Sequence, residues 1–165
     1  MLTNYKIKYY KMELANLKEQ QSGRLIFFGM FLFLLALVVG LGAPLLANPR
    51  LGISCHVEGV LNGIFLVILG LIWNRLALSK RWLIITYWLS IYGTFSNWLA
   101  YLIAAIFNAG RHLTIATKGK EGAPLADNIV DFLLVTLTIA MLTICITIII
   151  GLYRNMKNKN RGVFS

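Results

Sequence analysis

Four long runs without a charged side chain divide the sequence, at positions 25–49, 59–74, 82–110 and 132–153. Each run is rich in Leu, Ile and Phe, and none shows the strict alternation expected of strands in an outer-membrane barrel. A helix needs about 20 apolar residues to cross a bilayer. The pattern therefore predicts an all-α integral membrane protein with four transmembrane helices, at roughly 24–46, 54–78, 81–108 and 128–153.

The segments outside these helices are polar and basic. Residues 1–23 mix lysine, tyrosine and amide side chains, which predicts a cytoplasmic helical segment lying along the membrane surface. Residues 24–153 form the predicted transmembrane domain, and residues 154–165 form a basic tail. The hydrophobic share of 58% over 165 residues is far above that of an ordinary soluble domain and supports this division.

The basic residues are distributed unevenly along the chain. Twelve of the 16 Lys and Arg residues precede the first uncharged run, lie between the second and third runs, or follow the fourth. The positive-inside rule then places both termini in the cytoplasm, which predicts a multi-pass protein of the cytoplasmic membrane. Anionic lipid headgroups explain this distribution of the +10 net charge better than nucleic acid does.

The second helix carries polar groups at membrane depth. Counting back about 20 residues from the inner charge boundary at Arg75 draws Glu58 and Asn62 into the membrane, with His56 at its rim. Ionisable residues within a span are rare and indicate function by default. The alternative is that His56 and Glu58 lie in the headgroup region.

Glycines form a stripe on the same helix. Gly59, Gly63 and Gly70 recur at positions that share one face. Small residues in a stripe allow close approach by another backbone or by a flat ligand. Gly59 and Gly63 are therefore candidate cofactor-binding positions, and ordinary helix packing is the alternative.

The third helix offers matching polar groups in "YGTFSNWLAY", where Asn97 and Tyr101 follow each other at i and i+4. A short link makes helices two and three antiparallel neighbours, which pairs residues whose numbers sum to about 157. Tyr101 is then level with His56, and Asn97 is close to Asn62. The sequence therefore predicts that these polar side chains converge at one depth.

Such a cluster suits metal or substrate binding. A neutral imidazole is a good ligand for haem iron or another transition metal. Because the cluster contains one histidine, His56, a metal would also need a porphyrin or matching histidines from other subunits. The sequence has no hydrolase triad, no phosphate-binding loop and no cysteine cluster with zinc spacing.

The residues in "ANPRLG", "HVEGVLNG" and "YGTFSNW" closely resemble the hydroxylaminobenzene mutases of bacterial nitroarene metabolism, and the resemblance spans roughly residues 23–153. Members of that family rearrange aryl hydroxylamines to aminophenols. More distantly, the chain is similar to the styrene oxide isomerases, which are four-helix membrane trimers holding haem b between subunits. Their histidine, asparagine and tyrosine pattern matches His56, Asn62, Asn97 and Tyr101, whereas Gly93 stands where that family has an aspartate.

The resemblance implies a homotrimeric bacterial membrane isomerase with ferric haem b as its cofactor and an aryl hydroxylamine as its substrate. His56 would be the axial ligand, Asn62 and Tyr101 would hold the substrate, and Asn97 would orient the tyrosine. Glu58 would be a proton acceptor or a partner for the histidine. The alternatives are an epoxide isomerase on the same scaffold and a non-catalytic membrane transporter or assembly subunit.

Overall fold

The computed structural model describes residues 2–110 and 124–162 and is helical over nearly all of them. Its four long helices are α1 (Leu2–Gly42), α2 (Pro49–Ile72), α3 (Lys80–Phe107) and α4 (Pro124–Gly162). Short 3-10 turns at Ala43–Leu45 and Trp73–Arg75 end α1 and α2. All four helices are long and apolar enough to cross a membrane, so the predicted fold class is confirmed.

The helices alternate in direction, and neighbours along the chain pack against each other. The chief contacts join α1 to α2, α2 to α3, and α3 to α4. Large apolar side chains such as Phe27, Leu41, Leu71 and Ile149 are exposed on the outside of the bundle, as expected for a surface in contact with lipid. Because the number of spans is even, the two termini lie at the same end of the bundle. We call this the terminal end, and the other the far end.

Helix α1 continues without a break through the predicted boundary at residue 23. Its 41 residues span about 60 Å, roughly twice the thickness of a bilayer core. The polar part packs on the terminal end of α2: Lys18 Nζ donates to Leu76 O at 2.7 Å, and Trp73 Nε1 donates to Gln21 Oε1 at 3.1 Å. The polar segment is thus an extension of the first helix. That it lies along the membrane surface stays a prediction.

Helix α2 begins earlier than the sequence analysis expected. The segment "NPR", which lies between the first two helices predicted from the sequence, is its start, because the Asn48 side chain accepts a hydrogen bond from Leu51 N at 3.1 Å and Pro49 occupies the first turn. Asparagine as N-cap followed by proline is a strong helix-start signal. His56 therefore lies about 10 Å inside the helix rather than near its first residue.

Two polar contacts close the far end. Asn48 Nδ2 donates to Asn108 Oδ1 at 2.7 Å, and Asn108 ends α3 in the left-handed conformation with φ 48°. The buried Asp127 of α4 accepts a hydrogen bond from Gly110 N at 2.6 Å. These contacts join the α1–α2 connection, the end of α3 and the start of α4. The polar segment between the third and fourth predicted helices, which includes His112, lies mostly outside the described residues.

Candidate active site

The imidazole of His56 is held by helix α1. Its Nδ1 lies 2.9 Å from the backbone oxygen of Ala36, and the ring packs against Gly40. A side chain at Gly40 would collide with the ring, because a Cβ built there lies 2.6 Å from His56 Nδ1. Glycine at this position therefore makes the room that the imidazole occupies.

The Ala36 contact fixes which ring nitrogen carries a proton. A carbonyl oxygen only accepts hydrogen bonds, so Nδ1 must donate. In a neutral imidazole the lone pair is then on Nε2, which is the arrangement found in most metal-binding histidines. His56 also lines an open groove with Leu37, Gly40, Leu41 and Ile53. The exposed wall of this groove is apolar apart from the imidazole.

No group of three or more His, Cys, Asp or Glu side chains in the described part of the chain could hold a metal ion by itself. A metal at His56 would therefore need most of its ligands from another source. A porphyrin would supply the other ligands of the metal, so His56 would be sufficient to hold it. The apolar groove suits the flat, apolar faces of such a ring.

Glu58, Asn62 and Asn97 form a connected polar cluster between α2 and α3. Asn97 Nδ2 donates to Glu58 Oε2 at 2.8 Å, across the helix interface. Asn62 Nδ2 donates to the backbone oxygen of Glu58, also at 2.8 Å, one turn away on α2. Asn62 is buried, whereas Glu58 and Asn97 are partly accessible.

Tyr101 and Cys55 lie beside this cluster. Tyr101 is half-buried and close enough to interact electrostatically with the Glu58 carboxylate. It packs against a core group that includes Leu51 and Ala104. Cys55 is fully buried, and its Sγ donates to Trp98 O at 3.4 Å. Residue 55 is therefore level with residue 98, and residue 58 with residue 97. This pairing agrees with the antiparallel register predicted from the short α2–α3 link.

His56 does not join the polar cluster within one chain. The imidazole bonds to α1, whereas the Glu58 carboxylate bonds to α3. The expectation that His56 converges with the other polar groups is therefore wrong for a single chain. Successive residues of a helix are rotated by about 100°, so His56 and Glu58 point in nearly opposite directions although they share a depth.

The glycine stripe of α2 packs against α1. A Cβ built on Gly63 would lie 2.8 Å from Gly29 O and 2.9 Å from Phe33 N, so the two backbones touch. A Cβ on Gly59 would lie 2.6 Å from both Ala36 Cβ and Trp98 Cδ1. Helix packing, the alternative left open by the sequence, accounts for both positions. Contact of either glycine with a cofactor stays a prediction.

The matching family model is described as styrene oxide isomerase, and it covers residues 21–153 of this chain. The chain belongs to the styrene oxide isomerase family. Two curated relatives from Ectopseudomonas oleovorans are also similar. Hydroxylaminobenzene mutase HabA is 44% identical over 127 residues, covering 76% of this chain and 94% of the relative. Hydroxylaminobenzene mutase HabB is 42% identical over 130 residues, covering 78% and 79% respectively. No solved structure matches the chain.

Membership of this family confirms two predictions made from the sequence: the resemblance itself, and an enzyme of the isomerase class. Both relatives are named as mutases, and a mutase moves a group within one molecule. The roles of individual residues stay predictions. Among the described residues, the side chain of Asn97 donates to Glu58 and not to Tyr101, so Asn97 is better placed to orient Glu58 than the tyrosine.

Sequence reasoning missed three residues that have clear structural roles in this chain: Ala36, Gly40 and Trp98. A signal for the first two was present, because Gly29, Ala36 and Gly40 form a small-residue stripe on α1 that faces the α2 glycines. The third residue, Trp98, lies on α3. Its indole Nε1 is buried and has no hydrogen-bond partner among the described residues, beside Gly59.

Proposed function

We propose that this chain is a membrane isomerase that rearranges aryl hydroxylamines to 2-aminophenols, with haem b held by His56. The proposal depends chiefly on the two relatives named hydroxylaminobenzene mutase, to which the chain is 44% and 42% identical. The placement of His56 supports the haem part, because its Nδ1 is engaged by Ala36 O and the ring lines an apolar groove.

Each residue of the proposed site has a chemical task. When bound, ferric haem supplies a Lewis acid that polarises an oxygen without net electron transfer. His56 would hold it through Nε2. Asn62 and Tyr101 would bind the hydroxylamine through an amide and a phenol, and the surrounding apolar helices would exclude water from the reacting centre.

The separation of His56 from the polar cluster supports an oligomer. The imidazole and the Glu58–Asn97 pair lie on different faces of one chain, so one chain alone does not place them in a single pocket. A head-to-tail contact brings two different faces together, and repeating it gives a closed ring when the rotation between subunits divides a full turn evenly. We propose a homotrimer in which the His56 face of one subunit meets the Glu58–Asn97 face of the next.

The location follows from the charge distribution. Twelve of the 16 basic residues belong to the terminal end of the bundle or to the segments that continue it. The positive-inside rule then places the terminal end in the cytoplasm of a bacterial cell and the far end, with His56, on the opposite side of its cytoplasmic membrane.

The direct test uses protein purified in detergent. We expect it to convert phenylhydroxylamine to 2-aminophenol and to show a haem Soret band. The His56→Ala variant should lose both, whereas His112→Ala, which changes the other histidine of the chain, should retain both. An active but colourless protein would contradict the haem proposal alone. Absence of 2-aminophenol would contradict the mutase proposal.

A second candidate activity is favoured by the description of the family model, styrene oxide isomerase. Both reactions are redox-neutral and begin at an oxygen bound next to an aromatic ring. Supplying styrene oxide and phenylhydroxylamine to the same preparation distinguishes them. Faster formation of phenylacetaldehyde than of 2-aminophenol would make epoxide isomerisation the main activity.

A further inference from the structure

A second groove lies at the terminal end of the bundle, on the outer side of α3 and α4. Its volume is about 320 Å³, which is within the range of small-ligand sites. None of its lining residues belongs to the candidate active site. The lining includes one residue of the α2–α3 link, one of α3 and several of α4, among them Leu78, Trp82, Thr143, Thr147, Ile150 and Arg154.

The groove covers the depth of one membrane leaflet. Its positions on α4, from 143 to 154, correspond to about 16 Å of helix, and half of a bilayer core is about 15 Å thick. The uncharged run of α3 begins directly after Arg81, and that of α4 ends directly before Arg154. These two basic residues therefore mark one membrane boundary, and the groove extends from that boundary toward the middle of the membrane.

The wall of the groove offers hydrogen-bond donors at one end only. The Thr143 hydroxyl donates to Ile139 O at 2.8 Å and the Thr147 hydroxyl donates to Thr143 O at 2.7 Å, so both donors are used within α4. The side-chain donors that remain, on Trp82 and Arg154, lie at the boundary end. Arg154 is exposed and forms no ion pair with residues 2–110 and 124–162. A ligand that suits this surface has a long apolar part and an anionic group at one end.

The boundary end of the groove is held by a backbone contact. Ala77 N donates to Gly151 O at 3.0 Å, which ties the α2–α3 link to α4. A Cβ built on Gly151 would lie 3.1 Å from Leu78 Cγ, so the link and the helix pack closely. Gly151 and Arg154 are three residues apart and share one face of α4. Arg154 therefore extends from a fixed part of the helix beside the link.

We propose that this groove binds one anionic phospholipid, with an acyl chain along α4 and the phosphate at Arg154. A guanidinium group matches the geometry of phosphate and pairs with it through two parallel hydrogen bonds. Tryptophan is enriched at the membrane–water boundary, and Trp82 is 46% exposed at that level. Basic pockets between transmembrane helices bind anionic lipid headgroups. Such a site differs from the general attraction of a basic surface, because one residue should carry most of the preference.

The test measures lipid binding to the full-length protein in detergent by native mass spectrometry. The probes are phosphatidylglycerol, which is anionic, and phosphatidylcholine, which is zwitterionic, with identical acyl chains. The wild type should bind phosphatidylglycerol more tightly than phosphatidylcholine. Arg154→Gln should weaken the binding of phosphatidylglycerol by about 5-fold or more and leave that of phosphatidylcholine unchanged. Equal affinity of the wild type for the two lipids would overturn the proposal.

Arg24→Gln is the matched control for charge. It removes the same charge at the terminal end, but from α1, which does not contact α4 in the described part of the chain. Charges more than about 8 Å apart interact weakly at physiological ionic strength, so this variant should bind as the wild type does. Ile150→Trp tests the apolar part, because the larger side chain would fill the groove and weaken the binding of both lipids.

The other outcomes would each contradict the lipid site. Equal losses in Arg154→Gln and Arg24→Gln would show general attraction by the basic end. Displacement of phosphatidylglycerol by excess glycerol 3-phosphate would show that Arg154 takes a free phosphate compound. An Ile150→Trp variant that binds lipid normally but forms a smaller assembly would assign the groove to contact with a second copy of the chain. The readout is lipid binding, so these outcomes do not depend on which substrate the enzyme converts.

Discussion

Helix α2 meets its two neighbours in different ways. Toward α1 it presents glycines, and the two backbones touch at Gly29 and Gly63. Toward α3 it presents polar side chains, and the contact is made by hydrogen bonds such as that between Asn97 and Glu58. The first face is fixed by shape and the second by donor and acceptor geometry. His56 belongs to the first face and Glu58 to the second, so the two should respond to different substitutions.

The largest effect is expected where the backbones touch. Gly63→Val places atoms where Gly29 O and Phe33 N already lie within 3.0 Å of the added Cβ, so α1 and α2 must separate. We expect a loss of about 3 kcal/mol or more in the free energy of unfolding, seen as aggregated protein on size-exclusion chromatography. Gly23→Ala is the control, because nothing lies within 4 Å of its Cβ. Well-folded Gly63→Val protein would contradict the tight contact.

A smaller effect is expected at Gly59, which touches both neighbours of α2. Its added Cβ would meet Ala36 Cβ and Trp98 Cδ1, each at 2.6 Å. Gly59→Ala should cost about 2 kcal/mol, measured as a lower thermal midpoint in detergent. Removing the Ala36 methyl group in the double variant Gly59→Ala, Ala36→Gly should recover part of the loss. Strictly additive losses would show that the two positions do not contact each other.

The smallest effect is expected at Gly40, beside the imidazole. Gly40→Ala would push the ring of His56 away from Ala36 O, because the new Cβ lies 2.6 Å from Nδ1. If His56 holds haem, the affinity of the Gly40→Ala variant for haem should fall about 10-fold, as measured by haem titration of apoprotein. Its thermal stability should change little. Gly42→Ala, with open space around its Cβ, should bind as the wild type does. If the Gly40→Ala variant and the wild type bind haem with equal affinity, haem binding does not depend on the Ala36 contact.

The sequence predicted the number of helices and the depth of the polar groups. Uncharged runs report directly on burial in lipid, and the short link between α2 and α3 determines which residues are level with each other. The contact between Glu58 and Asn97 follows from that register. Helix boundaries were predicted less well. Helix α2 begins at Pro49, after its N-cap Asn48, and not near residue 54 as predicted. The continuity of α1 through its polar residues was not predicted, because the groups that contact Gln21 and Lys18 of α1 belong to Trp73 and Leu76, far along the chain.

The direction of His56 could not be predicted from depth alone. Two residues at one level of a helix can face different neighbours, and the face depends on which helix packs where. The position of α1 depends on contacts between the small residues of α1 and the glycines of α2. These contacts can be recognised only when the stripes on both helices are considered together. In the homotrimer proposed above, the His56 face of one subunit meets the Glu58–Asn97 face of the next, and the sequence of one chain does not specify that packing.

The acceptor that orients His56 is a peptide oxygen and not a side chain. A peptide oxygen does not titrate in the physiological range, so acidification cannot remove the acceptor itself. Substitution at residue 36 changes the side chain but leaves this oxygen present. The hydrogen bond that orients the imidazole is therefore protected against point mutation of its partner, and it is vulnerable mainly to an atom that intrudes between the two helices.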